Sequence, residues 1–254
     1  MNNSYASDAG HYYYRDGRPC YTIIGRNGKE RNTNIRDARK LDLVPSVTEA
    51  MKVAARPGYE QWKYRQVAMC SLTLTRNPNE TDEAFINRIL SDANEQGRIA
   101  AEKGTAIHGA IERTLLKLPV DPEFVPYANA ALAGLEFYLG VPDLYEQCEA
   151  EKSFADIRGF GGKIDLHSKS LNFVVDFKGK DFTDNSKTLS LPDNKIQLAA
   201  YAEGVDMPMA RLINVFVSRN VVGLIQIEEH DKNSKWFGIF MSMLSLWGKM
   251  KSAE

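Results

Sequence analysis

The sequence predicts an α/β fold, in which helices flank a mixed central sheet, and three observations support this. Apolar residues recur at helical spacing between Thr81 and about Lys117, as expected of a long amphipathic helix. After Val141 the hydrophobic period changes to two, which favours strands. The run Phe173-Val174-Val175 is apolar enough for a central strand that is covered on both faces.

The remaining elements of this core follow in order. The predicted helices cover residues 81–117, 127–138, 192–203 and 235–251, and the predicted strands cover residues 148–156, 163–168, 171–178, 211–218 and 223–228. Between the first two strands, Gly159 to Gly162 is predicted to form a turn.

Residues 1–80 are predicted to form an N-terminal lobe of β-hairpins and helices, and residues 81–254 the core. Aromatic and β-branched runs early in the lobe are interrupted by Asp16-Gly17 and Asn27-Gly28, which are strong signals of hairpin turns. The rings of Tyr12 to Tyr14 are expected to pack inside the lobe, with base stacking as the alternative.

The overall composition sets few limits on function. The chain has 254 residues, of which 43% are hydrophobic, and this suffices for one sizeable core with or without a lobe. Cys20, Cys70 and Cys148 are widely spaced and odd in number, which predicts a reducing compartment and no disulfide framework or cysteine-based metal cluster. No export signal and no apolar run of the ~18 residues needed to cross a bilayer is apparent, so we expect a cytoplasmic protein without a membrane partner.

The net charge of −1 conceals a local excess of basic residues. Between His11 and Lys40, eight Arg and Lys residues stand against three acids, so the local charge is 8 − 3 = +5. This excess is compatible with an ordinary solvated surface and equally with contacts to phosphate groups.

Two neighbouring strands carry side chains that are expected to meet. Because side chains alternate across a strand, Asp176 and Lys178 project from one face while Phe177 points into the opposite layer. Asp165, on the preceding strand, can then lie beside Asp176. Carboxylates bind Mg²⁺ or Mn²⁺, such a cation neutralises charge that develops on a phosphoryl group, and a lysine beside it can orient the attacking water. Two acids and a lysine in this layout are typical of a metal-dependent phosphodiesterase site.

Four further residues are candidates for the same site, each with a plain packing or surface role as the alternative. His108 lies one turn after Gly104 on the first long helix and can supply a metal ligand. Gln197 and Tyr201 are one turn apart on the helix over 192–203, where they either hold this helix against the sheet or position DNA or water. Glu151, on the first strand, is either a solvated charge or a further acid of the site.

These motifs resemble the PD-(D/E)XK nuclease superfamily, and specifically its RecB-like exonuclease branch. The similar segments are Gly104 to His108, Glu151, Gly162-Lys163-Ile164-Asp165, Asp176-Phe177-Lys178 and Gln197 to Tyr201, which together cover about residues 100–205. The segment from His11 to Trp62 resembles tailed-phage exonucleases of this branch, and the mitochondrial genome-maintenance exonuclease is more distantly similar. The first acidic motif lacks the proline of the superfamily's name.

The resemblance implies a restriction-endonuclease-like fold, an N-terminal lobe that shapes a DNA channel, and an exonuclease that degrades DNA from an end in phage-type recombination, replication or genome processing. It implies that His108, Asp165, Asp176 and the main-chain carbonyl of Phe177 hold Mg²⁺ or Mn²⁺, and that Lys178 positions the water. The cysteines that bind an iron–sulfur cluster in some relatives are absent, so no such cluster is expected. DNA is the implied partner, and a phage single-strand annealing or binding protein is suggested by the phage resemblance alone.

Two other functions share part of this pattern. A nuclease-like fold that serves as a DNA-binding or assembly module is expected to have lost an acid or the lysine, and this sequence retains them. A structure-specific endonuclease shares the chemistry but cuts closed circles. One metal or two, strand preference, polarity and oligomeric state all stay open at this point.

Overall fold

The predicted α/β fold is confirmed by a computed structural model, which describes residues 11–54, 57–231 and 234–252. The elements in chain order are β1 Tyr12–Tyr13, β2 Thr22–Ile24, β3 Glu30–Asn32, α1 Ile35–Lys40, β4 Val44–Pro45, α2 Val47–Ala50, a 3₁₀ turn Met51–Val53, α3 Pro57–Thr73, α4 Asp82–Leu115, α5 Val125–Leu139, a 3₁₀ turn Leu144–Gln147, β5 Glu149–Asp156, β6 Phe160–Ser168, β7 Phe173–Lys180, α6 Pro192–Gly204, β8 Arg211–Ser218, β9 Ile225–His230 and α7 Ser234–Ser252.

The central sheet has five strands in the order β5-β6-β7-β8-β9. The pairs β5–β6, β6–β7 and β8–β9 are antiparallel, whereas β7 and β8 are parallel. Parallel neighbours need a crossover connection, and α6 supplies it between β7 and β8. The sheet is therefore mixed, as predicted.

The sheet separates two hydrophobic cores. The α4–α5 core contains Ile107, Ile111, Leu132, Leu135, Phe173, Val175, Ile213 and Val215. The α6–α7 core contains Val47, Phe160, Ile164, Val174, Leu198, Val205, Leu212 and Phe240. Burying one such side chain stabilises the fold by about 1.5–3 kcal/mol, so β7 and β8, which contribute to both cores, are held firmly in place.

Helix α4 extends well beyond the sheet. Its Thr81 N-cap accepts the N–H of Ala84 at 3.2 Å, and its 34 residues span about 51 Å at ~1.5 Å per residue. The second half covers the sheet, whereas the first half packs on α3 through a small cluster that includes Cys70, Ile89 and Ala93. Helices α3 and α4 thus form a hairpin with a core of its own.

The N-terminal segment shares its packing with the rest of the chain. Val47 and Met51 lie in the α6–α7 core, and Trp247 of α7 packs with Tyr12 and Leu43. Tyr12 and Tyr13 are each 2% exposed, so these two rings pack inside the protein, as predicted. The division of the chain at residue 80 stays a prediction.

Several boundaries differ from the sequence predictions. Strand β6 begins at Phe160, so the turn predicted over Gly159 to Gly162 ends at Gly159 and the next glycines belong to the strand. A Cβ on Gly162 would lie 2.8 Å from Cε1 of Tyr201, so this glycine permits close packing of α6 instead of making a turn. Strand β9 begins at Ile225 and continues to His230, two residues beyond the predicted end.

Three cations of the basic N-terminal stretch are ion-paired. The pairs are Arg15–Asp42, Arg18–Asp16 and Arg31–Asp37, at 3.0, 2.7 and 2.6 Å. Asp16 and Asp37 are already counted in the charge of +5, so only Asp42 offsets the excess further, to 5 − 1 = +4. Each such surface pair contributes at most ~1 kcal/mol. Within residues 11–54, 57–231 and 234–252, no helix has both the length and the apolarity to cross a membrane.

Candidate active site

The candidate site forms where β6 and β7 separate. Their ladder ends at the pair Leu166–Val175, while β7 continues beside β8 as far as Lys180. Beyond the last pair, a carboxylate oxygen of Asp165 accepts the main-chain N–H of Phe177 at 2.8 Å. A buried N–H needs a partner, so this side chain takes the place of a strand carbonyl. Asp165 and Asp176 lie beside this opening.

Strand β6 changes the face that it presents at Asp165. Ile164 packs in the α6–α7 core and Leu166 in the α4–α5 core, although residues two apart in a strand normally share a face. On the paired strand β5, Glu151 has a φ of 57°, which costs a residue other than glycine about 1–3 kcal/mol. This irregularity allows Asp165 to reach the gap between α4 and β7.

Asp176 is buried, and both of its carboxylate oxygens accept hydrogen bonds. Lys178 Nζ lies 2.8 Å from Oδ1, and Asn214 Nδ2 lies 2.7 Å from Oδ2. The amide oxygen of Asn214 lies 2.7 Å from Nε2 of His230. Burial lowers the pKa of His230, so its ring is neutral and its proton belongs on Nε2, facing that oxygen. A continuous chain of hydrogen bonds therefore runs from β9 to Lys178.

His108 reaches the same acids from α4. Its Nε2 lies 3.0 Å from Oδ2 of Asp165. Burial by itself lowers the pKa of His108, but the Asp165 carboxylate outweighs burial and raises this pKa to about 9. In the metal-free protein His108 is therefore an imidazolium at neutral pH, and it balances the charge of Asp165.

The stability of the metal-free protein should depend on His108 in acid and not in alkali. The pKa of His108 rises from 6.5 to about 9 on folding, so its contribution is complete below pH 6.5 and is lost as the pH rises through 9. In EDTA, we expect the wild type to unfold at a higher urea concentration than His108→Gln at about pH 6, and at the same concentration at about pH 10.

A buried histidine elsewhere provides the control for this measurement. Burial lowers the pKa of His167, so any stability that depends on its titration is present above pH 6.5 and is lost on acidification. The difference in the urea concentration of unfolding between the wild type and His167→Gln should therefore change with pH in the direction opposite to that expected for His108→Gln. A His108→Gln difference that persists undiminished in alkali would contradict the assignment of charge to His108.

The two acids have different pKa values because their surroundings differ. Burial raises the pKa of Asp165, but the charge and hydrogen bond of His108 outweigh it, so the pKa is lowered overall. For Asp176, burial and the charge of Asp165 prevail over Lys178 and raise the pKa to about 6. Asp165 therefore stays ionised to lower pH than Asp176, which titrates nearer neutrality.

Helix α4 approaches β7 at two glycines. A Cβ on Gly179 would lie 3.1 Å from the Cα of Gly104, whereas a Cβ on Gly104 would meet nothing closer than Nη1 of Arg219 at 3.9 Å. Because backbone meets backbone here, His108, one turn after Gly104, comes within hydrogen-bonding distance of Asp165. This contact is a physical reason for a glycine four residues before the histidine.

Adding a methyl group on the two sides of this contact should have opposite effects. We expect Gly179→Ala to destabilise the protein by about 1–3 kcal/mol, because the new methyl presses on the backbone of α4. Gly104→Ala, the matched control, has room and gains up to ~1 kcal/mol from the higher helix propensity of alanine. Urea denaturation in EDTA measures both, and equal losses of stability in the two variants would contradict the contact.

Gln197 and Tyr201 are buried and bonded to each other. Gln197 Nε2 donates to the Tyr201 hydroxyl at 2.9 Å. Burial, together with the charges of Asp176 and Asp165, raises the pKa of Tyr201, so its hydroxyl keeps its proton beside the two acids. The pair fits the predicted role of holding α6 against the sheet, and Tyr201 is also a neutral neighbour of the acidic centre.

Glu151 belongs to an adjoining ion cluster. Its carboxylate pairs with Lys163, whose Nζ also lies 3.2 Å from Oε1 of Glu112. Burial raises the pKa of Glu151 despite this lysine. The charge of Glu151 helps to raise the pKa of His108. Glu151 therefore acts on the site electrostatically, while its own carboxylate is paired with Lys163.

The structure thus brings His108, Asp165, Asp176 and Lys178 together and adds two residues that sequence reasoning missed. These are Asn214, which is 0% exposed, and His230. The available signal was an asparagine inside the apolar run of residues 212–217, because a buried amide needs polar partners.

The carboxylates of the site suit a hard divalent cation, although each is paired with a positively charged side chain of the protein in this structure. In the described parts of the chain, no three His, Cys, Asp or Glu side chains are grouped so as to hold a metal ion. His108 pairs with Asp165 and Lys178 with Asp176. Two carboxylates and an imidazole are nevertheless a suitable donor set, because Mg²⁺ needs few protein ligands. Metal binding by these residues and the Phe177 carbonyl stays a prediction, and it requires His108 to release its proton.

Comparisons with known proteins add little to this geometry. No protein-family model matches the sequence. No curated protein matches it. Among solved structures, the chain is similar to "Crystal structure of SSO0001", with a TM-score of 0.36 and 13% identity over 76% of this chain and 86% of that chain. A likeness of this degree carries no argument, so the functional conclusion depends on the residues of the site.

Proposed function

We propose that this chain is a Mg²⁺- or Mn²⁺-dependent deoxyribonuclease that hydrolyses DNA from a free end. The observation that carries the proposal is that two buried acids meet at the opening between two strands, where Asp165 accepts the N–H of Phe177 and Asp176 pairs with Lys178. Ionised groups are costly to bury, and groups with perturbed pKa values concentrate at functional sites. The resemblance of the motifs to RecB-like PD-(D/E)XK exonucleases supports the same conclusion.

Lys178 is suited to contact the reacting phosphate. Its side chain is 32% exposed, whereas that of Asp176 is 3% exposed. The Lys178 side chain therefore lies between the buried acid and the solvent. From there it can orient a water molecule and stabilise negative charge on a phosphoryl oxygen. Asp176 holds the ammonium group in this position.

Asp165, Asp176 and His108 would hold the divalent cation. When bound, the cation neutralises charge on the phosphoryl oxygens and lowers the pKa of the attacking water. Asp165 is positioned by the N–H of Phe177, and Asp176 by Asn214, so both carboxylates are oriented before a cation arrives. Such preorganisation reduces the cost of assembling the site.

A cleavage assay tests this function. We would incubate the protein with end-labelled linear DNA and with covalently closed circles, in Mg²⁺, Mn²⁺ or EDTA. Metal-dependent loss of linear DNA with intact circles is expected. Cleavage of the circles would favour a structure-specific endonuclease, and cleavage in EDTA would exclude a metal-dependent mechanism.

A second candidate is a DNA-binding or assembly module. The ion pairs of both acids with protein cations favour it, because they satisfy the acids without a metal. This function predicts DNA retention with no cleavage in any metal. The same assay, combined with a binding measurement, therefore separates the two candidates.

A further inference from the structure

A cleft of about 240 Å³ opens near the candidate active site. Helices α3 and α4 form one wall, and the residues that follow β7 and β8 form the other. Its lining includes one aromatic ring, two cations and one acid, from Trp62, Lys103, Arg219 and Asp181. Ligands of open α/β sheets bind outside the carboxyl ends of parallel strands, which is where this cleft lies.

The cleft is joined to the active site by both α4 and β7. Lys103 immediately precedes Gly104, the glycine of the α4–β7 contact. Along β7, Asp181 in the cleft wall follows Lys178 by three residues, which corresponds to roughly 10 Å of extended chain.

Hydrogen bonds hold the two cations of the cleft in place, and both cations keep further N–H groups that can donate. Arg219 donates from Nε to Asp181 at 2.8 Å and from Nη1 to the Ala100 carbonyl at 2.7 Å. Lys103 Nζ donates to the Arg219 carbonyl at 2.5 Å. A guanidinium has five N–H donors and an ammonium three, so these contacts leave donors for an anion. Together with Asp181, the two cations leave the cleft with a formal charge of +1.

Trp62 provides an aromatic surface beside these cations. A Cβ on Gly97 would lie 3.4 Å from Cη2 of the indole, so the ring packs across α4 where that helix has no side chain. The indole is half-buried and lines the cleft. An aromatic ring next to Lys and Arg is the combination that binds unpaired nucleotides, by stacking on the base and contacting the phosphate.

We propose that this cleft binds one unpaired nucleotide of the DNA strand that is cut, close to the cleaved bond. Trp62 stacks on the base, and Lys103 and Arg219 contact the phosphate. The volume of about 240 Å³ is below the ~300–1,000 Å³ of common ligand pockets, so no more than a single nucleotide enters the cleft. This inference rests on the proposed nuclease function and adds a substrate contact outside the catalytic centre.

DNA binding by the full-length chain tests the proposal without cleavage. The Lys178→Met background in EDTA keeps the DNA intact, and fluorescence anisotropy with labelled single-stranded oligonucleotides reports affinity. We expect Trp62→Ala to weaken binding about ten-fold, and Trp62→Phe to retain most of the affinity. Phe137→Ala, which removes a ring that is 89% exposed on α5, is the control and should leave binding unchanged. Lys103→Gln should lower the slope of log affinity against log salt by about 0.7.

An abasic nucleotide identifies the contact more sharply. Placed in turn at each of the first few nucleotides beside the cleaved bond, it removes at one position the base on which Trp62 stacks. The abasic nucleotide should weaken DNA binding by the Lys178→Met protein. It should have no further effect on the double variant that carries both Lys178→Met and Trp62→Ala. Thermal melting of each variant checks that the fold is retained.

The outcomes separate this proposal from the nuclease function. If Trp62→Ala binds DNA as tightly as the Phe137→Ala control while the wild type cuts DNA, the cleft proposal is wrong and the nuclease stands. If the Trp62 and abasic effects appear but no metal supports cleavage, the nucleotide contact stands and the nuclease function is wrong. If the wild type binds no DNA, both are wrong.

Discussion

Lys178→Met should reduce the rate of metal-dependent DNA cleavage by about 10²–10³-fold, the loss typical when one preorganised charge-stabilising donor is removed. Methionine keeps the apolar stem of the side chain and removes the ammonium that lies 2.8 Å from Asp176. Lys178 also lowers the pKa of Asp176, so its loss should raise that pKa above about 6 and leave less of the carboxylate ionised near neutral pH. Both effects act against cleavage.

Lys152→Met is the matched control for this variant. Lys152 lies on β5 of the same sheet and forms a half-exposed ion pair with Glu149, so its removal should change stability and cleavage little. Initial rates with end-labelled DNA under saturating metal measure both variants. Cleavage by Lys178→Met at the rate of Lys152→Met would exclude Lys178 from the reaction.

Asn214→Leu should have the second-largest effect, on both stability and activity. It removes the 2.7 Å hydrogen bond to Asp176 and the acceptor of His230. A buried polar group without a partner costs about 1–3 kcal/mol, and this change leaves two such groups. Because Asp176 is then no longer oriented, metal affinity or activity should fall a further ~10–100-fold.

A core variant on the same strand separates these two effects. Ile213→Val removes one buried methylene from the α4–α5 core, at a cost of about 0.5–1.5 kcal/mol, and does not touch the hydrogen-bond chain. It should lower stability and leave kcat and metal dependence unchanged well below its Tm. If Asn214→Leu matches Ile213→Val in kcat and metal dependence, Asn214 has no positioning role.

Local patterns were sufficient for much of the fold. The change of hydrophobic period after Val141 predicted the strands, and the bounds predicted for Arg211–Ser218 match β8. The amphipathic pattern predicted a helix over residues 81–117, and α4 spans Asp82–Leu115. The pairing of Asp176 with Lys178 followed from alternation along one strand. Each of these predictions depends on residues that are close in sequence, where covalent geometry limits the conformations.

Other features of the candidate site depend on contacts between distant parts of the chain. The change of face at Asp165 involves an unusual φ at Glu151 on the paired strand, which no period in the sequence reveals. The predicted turn at Gly162 was wrong because that glycine makes room for Tyr201, from a helix that follows much later in the chain.

The sequence by itself determined the α/β class, the order of the elements and the acids and lysine of the candidate site. Only the tertiary structure decided that Asn214 and His230 support Asp176, and that α4 meets β7 at glycines. The physical reason is that alternation and helical period act between neighbours in the chain. The hydrogen bond from Asn214 to Asp176, by contrast, joins residues 38 positions apart, and it exists only after β7 and β8 have paired.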